Sequence, residues 1–391
     1  MPRESARVPL VDTIKAVAAQ LIVLHHLAWF GPMSDVAATA SPWLGAGQGW
    51  LAEYGRYAVA AFLAVAGYLA AQSLSPFGLP RDKSPWHMVI QRYLRLVGPY
   101  AVALLLAMVS AALARQLMVH DSIGAAPSLG QLFAHLFLLH DLLDFEALSA
   151  GVWYIAIDFQ LYALLVGLLW VTARLQRRTA RADFVGPPRS QTRLAAPHGG
   201  GVGLGRPGAD FVGPLLIAMV ALASLFFFNQ RDAWDATALY FFGAYALGVG
   251  SSWAVQSARP HRYLSLLLLI GVAALWFDFR PRIAVALVVA LTLGLAHLHM
   301  RSSMNNGSTL LASLGRISYA LFLVHFPVCL IVNAVFHQLA PNNALMNALG
   351  IVLAWGASNL AAVLFYRHVE LRLSALWRKR PLPGPQTQAA N

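Results

Sequence analysis

The chain has 391 residues, of which 58% are hydrophobic and only 11% are charged. A soluble domain carries about 25% charged residues, so this composition excludes a soluble globular enzyme and indicates a polytopic membrane protein. Basic loops that orient membrane proteins account for the net charge of +12, so no nucleic-acid partner is required. The single cysteine, Cys329, excludes an internal disulfide and a thiolate metal site.

Apolar stretches in chain order predict an all-α protein with about ten transmembrane helices, since one span needs roughly 20 apolar residues. The predicted spans are 13–30, 55–73, 93–114, 152–173, 213–229, 236–255, 263–278, 282–299, 316–337 and 344–366. The first stretch is too long for the apolar part of a cleaved signal peptide, and we expect it to remain as a span. Residues 129–143 are too short and too polar for a span and predict an interfacial or re-entrant helix.

The charge distribution predicts the orientation. With the N-terminus in the cytoplasm, 23 of the 28 Lys and Arg residues lie on the cytoplasmic side, whereas nine of the 16 acidic residues lie outside. Both termini are therefore predicted to be cytoplasmic. Residues 174–212 are rich in Arg, Gly and Pro without an apolar period and predict a disordered cytoplasmic loop. Residues 371–391 predict a basic, disordered tail after a membrane domain over 8–370.

Ionisable side chains inside predicted spans are candidates for function, because charged groups are costly at membrane depth. In the first span Lys15 and His26 are eleven residues apart, which places them on nearly the same face and roughly 16 Å apart along the axis. His25 is rotated from His26 by about 100°. Asp12, one turn before Lys15, is placed to pair with it. The alternative is that Lys15 only anchors the orientation and that the histidines are packing residues.

Asp158, in the fourth span, lies about two turns from the predicted outer edge, at a depth close to that of His26. A carboxylate beside an imidazole fixes the imidazole tautomer and raises its basicity, which is the arrangement of acid–base sites in acyl transfer and hydrolysis. The sequence therefore favours a contact between these two residues. The alternative is a hydrogen bond between helices that serves packing alone.

Two further sets of polar residues complete the candidates. Arg92 and Arg95 are one turn apart, level with Lys15, and arginine forks suit phosphate oxygens; as orientation charges alone they need no ligand. His325 lies near the middle of the ninth predicted span and is either a second site residue or a buried structural histidine. No carboxylate cluster indicates a divalent metal.

Five sequence blocks resemble, in order, those of the membrane acyltransferase-3 family. They are VDTIKAVAAQLIVLHH (11–26), FLAVAGYL (62–69), RYLRLVGPY (92–100), VWYIAIDFQLYALL (152–165) and LGRISYALFLVHFPV (314–328). The first block has the family's basic residue, ten others and a histidine, which Lys15 and His26 match. The last block brings in Tyr319 and His325. Each block is weak alone, but five in order with ten spans are fairly specific.

The resemblance implies an enzyme of the bacterial inner membrane. Such proteins transfer an acyl group, usually acetyl, from cytoplasmic acyl-coenzyme A to a hydroxyl of an exported or cell-surface glycan. The family pattern implies that Lys15, Arg92 and Arg95 bind the coenzyme A phosphates. It also implies that His26 acts as general base, or carries the acyl group transiently, and that Asp158 orients it.

Departures from the family pattern leave the acceptor open. Lys15 replaces the more common arginine, Asp158 a glutamate, Ala66 a serine and Phe322 a frequent tyrosine. Two other function classes remain. In a proton-coupled transporter or flippase, the buried His and Asp residues would form a proton or substrate path, although no inverted repeat or pair of broken helices is evident. A structural or sensory membrane subunit would leave those buried groups unexplained.

Overall fold

The structure is a computed structural model that describes residues 9–81, 83–182, 212–299 and 309–378, and within these ranges the chain forms helices and no strands. The helices are α1 (Pro9–Trp29), α2 (Pro32–Ala37), α3 (Pro42–Tyr54), α4 (Val59–Leu74), α5 (Pro85–Leu117), α6 (Leu129–Leu136), α7 (Val152–Ala182), α8 (Val212–Phe226), α9 (Ala238–Gln256), α10 (Pro260–Phe277), α11 (Pro281–His299), α12 (Thr309–Leu339), α13 (Ala344–Phe365) and α14 (Leu371–Arg378).

Ten helical segments in these ranges are long and apolar enough to cross a membrane, which confirms the predicted all-α class and span count. The second of them joins α3 to α4 through one turn of 3₁₀ helix over Gly55–Ala58. Several spans start earlier than the sequence predicted. The reason is visible in α5, which begins at Pro85, where proline supplies a fixed φ and needs no backbone hydrogen bond.

Both segments predicted to be disordered are partly helical. Residues 174–182 extend α7, and residues 371–378 form α14, which follows a short π-helical turn over Tyr366–Glu370. The apolar period ends before these residues, but a helix with tertiary contacts needs no apolar residue in its last turns. The remainder of both predicted segments, residues 183–211 and 379–391, lies outside the described residues.

The predicted interfacial or re-entrant segment contains a short helix, α6, which begins with a capping box between Ser128 and Gln131. The chain that follows α6 folds into the protein: Leu138, His140 and Ser149 are all buried. Helix α7 therefore begins inside the protein and not at its surface, and Val152 is only 5% exposed. This start places the first turns of α7 deeper than the sequence suggested.

Two buried clusters hold the bundle together. One is centred on α9 with α4, α7, α8 and α11, and the other on α12 with α1, α5 and α13. Glycines allow the closest approaches. Gly67 of α4 lies against the carbonyl of Tyr245, and Gly248 of α9 lies against the carbonyl of Ala64, as expected where small residues let membrane helices pack closely.

A glycine also lets α12 pack closely against α1. Gly315 of α12 lies directly against the backbone of Asp12, and any side chain at 315 would collide with it. We call the end of the bundle at which α1 begins the basic end, because Lys15, Arg95 and Arg316 lie there. The opposite end is called the acidic end, because it carries Asp141, Asp144, Asp232 and Asp235.

Candidate active site

The two central histidines of the candidate set form a buried pair. Nδ1 of His26, on α1, lies 2.6 Å from Nε2 of His325, on α12. The two rings are within 5° of parallel, with centroids 4.9 Å apart. His325 is fully buried and His26 is 9% exposed. The packing of α1 against α12 therefore brings His325 into contact with His26, and its role as a second site residue stays a prediction.

The hydrogen bonds assign the protons on the pair. Nδ1 of His325 lies 3.0 Å from the carbonyl of Leu321 and must donate to it, because a carbonyl only accepts. In a neutral ring, Nε2 of His325 is then an acceptor, so Nδ1 of His26 carries the proton it donates. Nε2 of His26 is left as the unprotonated nitrogen, and no described residue bonds to it. In this arrangement one nitrogen of His26 can accept a proton.

Helical phase separates His25 from this pair, as the sequence predicted. His25 turns toward α3, where its Nδ1 lies 3.1 Å from the carbonyl of Leu51. Its ring is tilted by 47° to that of His26 and stacks near Trp29. His25 therefore contacts the protein through a bond to the backbone, while His26 faces the interior.

Asp158 has a different partner from the one expected. Its Oδ2 lies 2.5 Å from Nη2 of Arg92, and the structure shows no hydrogen bond between Asp158 and His26. The expected contact rested on depth counted from the outer end of the fourth span. Because α7 begins beneath a buried loop, Asp158 lies deep enough to meet Arg92, which reaches in from α5.

The ion pair sits among aromatic rings. The guanidinium of Arg92 lies 5.3 Å from the ring centre of Tyr162, and Tyr154 and Tyr245 border the same space. Asp158 is only 6% exposed. Arg92 is therefore bound to a carboxylate, and its charge is largely neutralised within the protein. Of the three cationic residues proposed for phosphate, it is the one least free to bind an anion.

A cavity of about 570 Å³ connects this pair to the basic end, and we call it the basic cavity. It brings together six of the candidates: Asp12, Lys15, Arg92, Arg95, Asp158 and Tyr319. Lys15 and Asp12 form the expected ion pair at 3.6 Å. Tyr319 donates a hydrogen bond to the carbonyl of Leu96 at 3.0 Å, which ties α12 to α5.

The mouth of the basic cavity carries two exposed arginines, Arg95 and Arg316. Neither forms an ion pair with any described residue. A half-buried carboxylate, Glu370, also lines the cavity, and its buried Oε2 has no hydrogen-bond partner among the described residues. The mouth therefore offers two guanidinium groups that form no ion pair with the described residues, near one carboxylate.

Phe322 closes the inner end of the basic cavity and separates it from the histidine pair. Its ring lines the cavity, and its centre lies 5.2 Å from that of Tyr154 and 6.2 Å from that of His325. It also lies against Gly151, where a Cβ would be 2.9 Å from the ring. His325 and the cavity are thus neighbours across a single aromatic side chain.

Sequence reasoning missed several lining residues. Arg316 was counted only as an orientation charge, although it lies one turn before Tyr319 and so shares its helix face. Tyr154, Asp158 and Tyr162 are spaced by four in α7, and this spacing predicts one polar stripe on a single face. Within the described residues, no group of three or more His, Cys, Asp or Glu side chains is placed to hold a metal ion.

Residues 9–184 match the model of the acyltransferase-3 family, whose description is an acyltransferase domain. This part of the chain is similar to that family, and the match supports the resemblance that the sequence blocks suggested. The match contains four of the five sequence blocks, and with the ten apolar helices it supports a membrane acyltransferase. The fifth block, with Tyr319 and His325, lies beyond the matched residues, so the contact of His325 with His26 is independent of the match. Comparison with curated proteins and with solved structures finds no match to the chain.

The boundaries of the acyltransferase within the chain stay a prediction. The matched residues end at 184, whereas the sequence blocks suggest a domain over 8–370. The packing supports one functional unit beyond the match, since α12 supplies His325, Tyr319 and Arg316 to the same region as α1 and α5.

Proposed function

We propose that this membrane acyltransferase transfers an acyl group, most simply acetyl, from acyl-coenzyme A to a hydroxyl of an exported or cell-surface glycan. The observation that carries the proposal is the His26–His325 pair, which leaves one imidazole nitrogen unprotonated and is separated by Phe322 from a cavity with a cationic mouth. The basic end faces the cytoplasm in this proposal, in agreement with the excess of basic residues there, and the membrane is the bacterial inner membrane.

The donor would enter from the basic end. Arg95 and Arg316 are exposed and without ion pairs, so they suit the phosphates of coenzyme A, and Lys15 adds a third positive charge held by Asp12. Arg92 takes a different part from the one the family pattern implies. Paired to Asp158, it holds α5 against α7 where the acyl end of the donor would lie.

The chemistry needs one base and one orienting group. Nε2 of His26 takes the proton from the acceptor hydroxyl as the hydroxyl oxygen bonds to the thioester carbonyl carbon. The C–S bond then breaks, and the sulfur leaves with the proton that His26 held, so the imidazole returns to its first state. His325 accepts the hydrogen bond from Nδ1 of His26 throughout and fixes the ring, as a carboxylate does in hydrolytic triads.

The proposal is tested with purified protein in lipid nanodiscs. Release of the free coenzyme A thiol from acetyl-coenzyme A, dependent on a glycan hydroxyl acceptor, is the expected activity. The same protein in liposomes with a pH-sensitive dye tests the transporter or flippase alternative. Proton or solute flux without thiol release from any acyl-coenzyme A would replace the enzyme proposal with the transporter.

A further inference from the structure

A second cavity of about 550 Å³ opens at the acidic end, and we call it the outer cavity. Its volume falls in the roughly 300–1,000 Å³ range of ligand sites. Three aromatic side chains, Tyr57, Trp153 and Tyr240, are among those that line it. Such rings offer flat apolar faces, and the C–H faces of sugar rings pack against surfaces of this kind.

The outer cavity also holds carboxylates and guanidinium groups that do not form ion pairs with each other. Four aspartates and two arginines line it: Asp141, Asp144, Asp232, Asp235, Arg56 and Arg282. No ion pair joins any of these aspartates to either arginine. The arginines lie over tyrosine rings instead, Arg282 at 4.8 Å from the centre of Tyr240. Carboxylates and guanidinium groups that are not paired to each other remain available to hydroxyl groups of a ligand.

Asp141 is a cavity carboxylate with a buried oxygen that forms no hydrogen bond. Its Oδ2 is buried and has no hydrogen-bond partner among the described residues. Burial, and then the charge of Asp235, raises the pKa of Asp141 to about 6. A buried polar atom without a partner is rare in proteins and is satisfied when a ligand supplies the missing hydrogen bond.

The outer cavity and the basic cavity border the same three helices. On each helix one residue lines the outer cavity and its neighbour in sequence lines the basic cavity: Leu63 and Phe62 on α4, Trp153 and Tyr154 on α7, and Ala244 and Tyr245 on α9. One layer of side chains thus separates the two cavities. Tyr154 in this layer touches Phe322, which borders the histidine pair.

We infer that the outer cavity binds the acceptor, a polyhydroxylated glycan segment of neutral or positive net charge. Donor and acceptor then approach the histidine pair from opposite cavities, and Tyr154 and Phe322 turn aside for the hydroxyl to meet the thioester. Four carboxylates against two guanidinium groups leave the cavity negative, which disfavours an anionic sugar. The inference rests on the proposed function and names the acceptor class for it.

The test uses three sugars of the same ring and different charge. The probes are the methyl glycosides of N-acetylglucosamine, glucosamine and glucuronic acid, with [¹⁴C]acetyl-coenzyme A as donor and the protein in nanodiscs. The double variant Asp232→Asn/Asp235→Asn alters two exposed carboxylates of the cavity, and Trp153→Ala removes an aromatic face. Asp35→Asn is the matched control, an exposed carboxylate 72% accessible at the same end and outside the cavity.

The wild type is expected to use the neutral and cationic glycosides at least about tenfold better than the anionic one. The double variant should reduce the preference for glucosamine over the anionic sugar by about tenfold, and Trp153→Ala should raise KM for all three by a similar factor. The donor KM should stay within about twofold in every variant. Asp35→Asn should match the wild type.

Two results would overturn the inference while leaving the proposed function intact: thiol release with none of the three glycosides acylated, or cavity variants that keep the wild-type acceptor KM. If Trp153→Ala does not fold, the test uses the double variant alone. Its two carboxylates are exposed, so their substitution is expected to leave the fold intact. If no acyl-coenzyme A is consumed, the proposed function fails. Equilibrium dialysis of labelled glycosides then still tests whether the outer cavity binds the acceptor. The wild type should bind the glycosides, and the double variant should not.

Discussion

Nδ1 of His26 and Nε2 of His325 lie 2.6 Å apart, although the two residues are 299 positions apart in the chain. The contact joins α1 to α12, and the same two helices approach closely about three turns away, where Gly315 lies against Asp12. It replaces the aspartate–histidine contact that the sequence suggested with a contact between two imidazoles. The orientation of the His26 ring then depends on a chain of hydrogen bonds that runs through His325 and ends on the carbonyl of Leu321.

Removing His325 should weaken catalysis without weakening donor binding. In His325→Ala the ring of His26 loses the acceptor of its Nδ1 proton, so we expect kcat to fall by about 10- to 100-fold, the usual loss when an orienting partner of a reactive imidazole is removed. The donor KM should stay unchanged. Steady-state kinetics on purified protein measure both, and His337→Ala, on the same helix, is the control. A raised KM with an intact kcat would place His325 in donor binding instead.

Breaking the Arg92–Asp158 pair on one side should destabilise the protein. Arg92→Ala leaves a buried carboxylate and Asp158→Asn leaves a buried guanidinium, and each should lower the free energy of unfolding by about 3 kcal/mol. The double variant Arg92→Gln/Asp158→Asn should recover part of that loss, because neither charge remains. Thermal unfolding of all three in nanodiscs measures the coupling. Additive losses in the double variant would show that the pair contributes no coupling energy.

Arg95 and Arg316 should bind the donor through charge. Each substitution to alanine should raise the KM for acetyl-coenzyme A by about tenfold and leave kcat nearly unchanged, since binding at the phosphates is the same in ground and transition states. The effect should shrink as salt rises from 50 to 500 mM, because exposed charges are screened. Arg262→Ala, an exposed arginine at the same end and outside the basic cavity, should have no effect. An equal rise of the donor KM in the Arg95, Arg316 and Arg262 variants would indicate a general surface potential rather than a phosphate site.

Protonation of Asp141 should make the free energy of unfolding depend on pH. Its pKa is raised from 3.8 to about 6, so between these values the folded state binds more protons than the unfolded state, and stability falls as pH rises. Nε2 of His140 lies 3.6 Å from Oδ2 of Asp141. Burial, and then the charge of His135, lowers the pKa of His140 to about 3. The contribution of His140 to the free energy of unfolding therefore rises with pH over the same interval. The two effects offset each other in the wild type.

Asp141→Asn removes one of these opposing effects. The melting temperature of the variant minus that of the wild type should grow between about pH 4 and pH 6 and stay constant above it, with the variant more stable by a few degrees. The difference isolates Asp141 because other titrating groups are common to both proteins. A difference that does not vary with pH would assign the effect to packing rather than to protonation.

Spans and helical phase were predictable, because apolar length and the 3.6-residue period are properties of the sequence itself. Phase alone chose His26 over His25, and the structure turns His25 toward Leu51. Ion pairing within one turn, as between Asp12 and Lys15, was equally local.

The partners across helices were not predictable. Depth counted along a span assumes that each helix starts at the membrane surface, and α7 starts beneath a buried loop instead. Asp158 therefore lay deeper than its sequence position suggested and met Arg92. The outer cavity escaped notice for a related reason: its charges come from four separate connections and helix ends, and nothing local marks them as neighbours.

The most direct test of the account compares His26→Ala with His25→Ala. Donor binding is measured by equilibrium dialysis with [¹⁴C]acetyl-coenzyme A, and turnover by acceptor-dependent release of coenzyme A from the same preparations. The account predicts that His26→Ala binds the donor within about twofold of the wild type and loses turnover by about 10²- to 10⁴-fold, while His25→Ala keeps most of it. Turnover that survives in His26→Ala, or is lost only in His25→Ala, would contradict the assignment of His26 as the base.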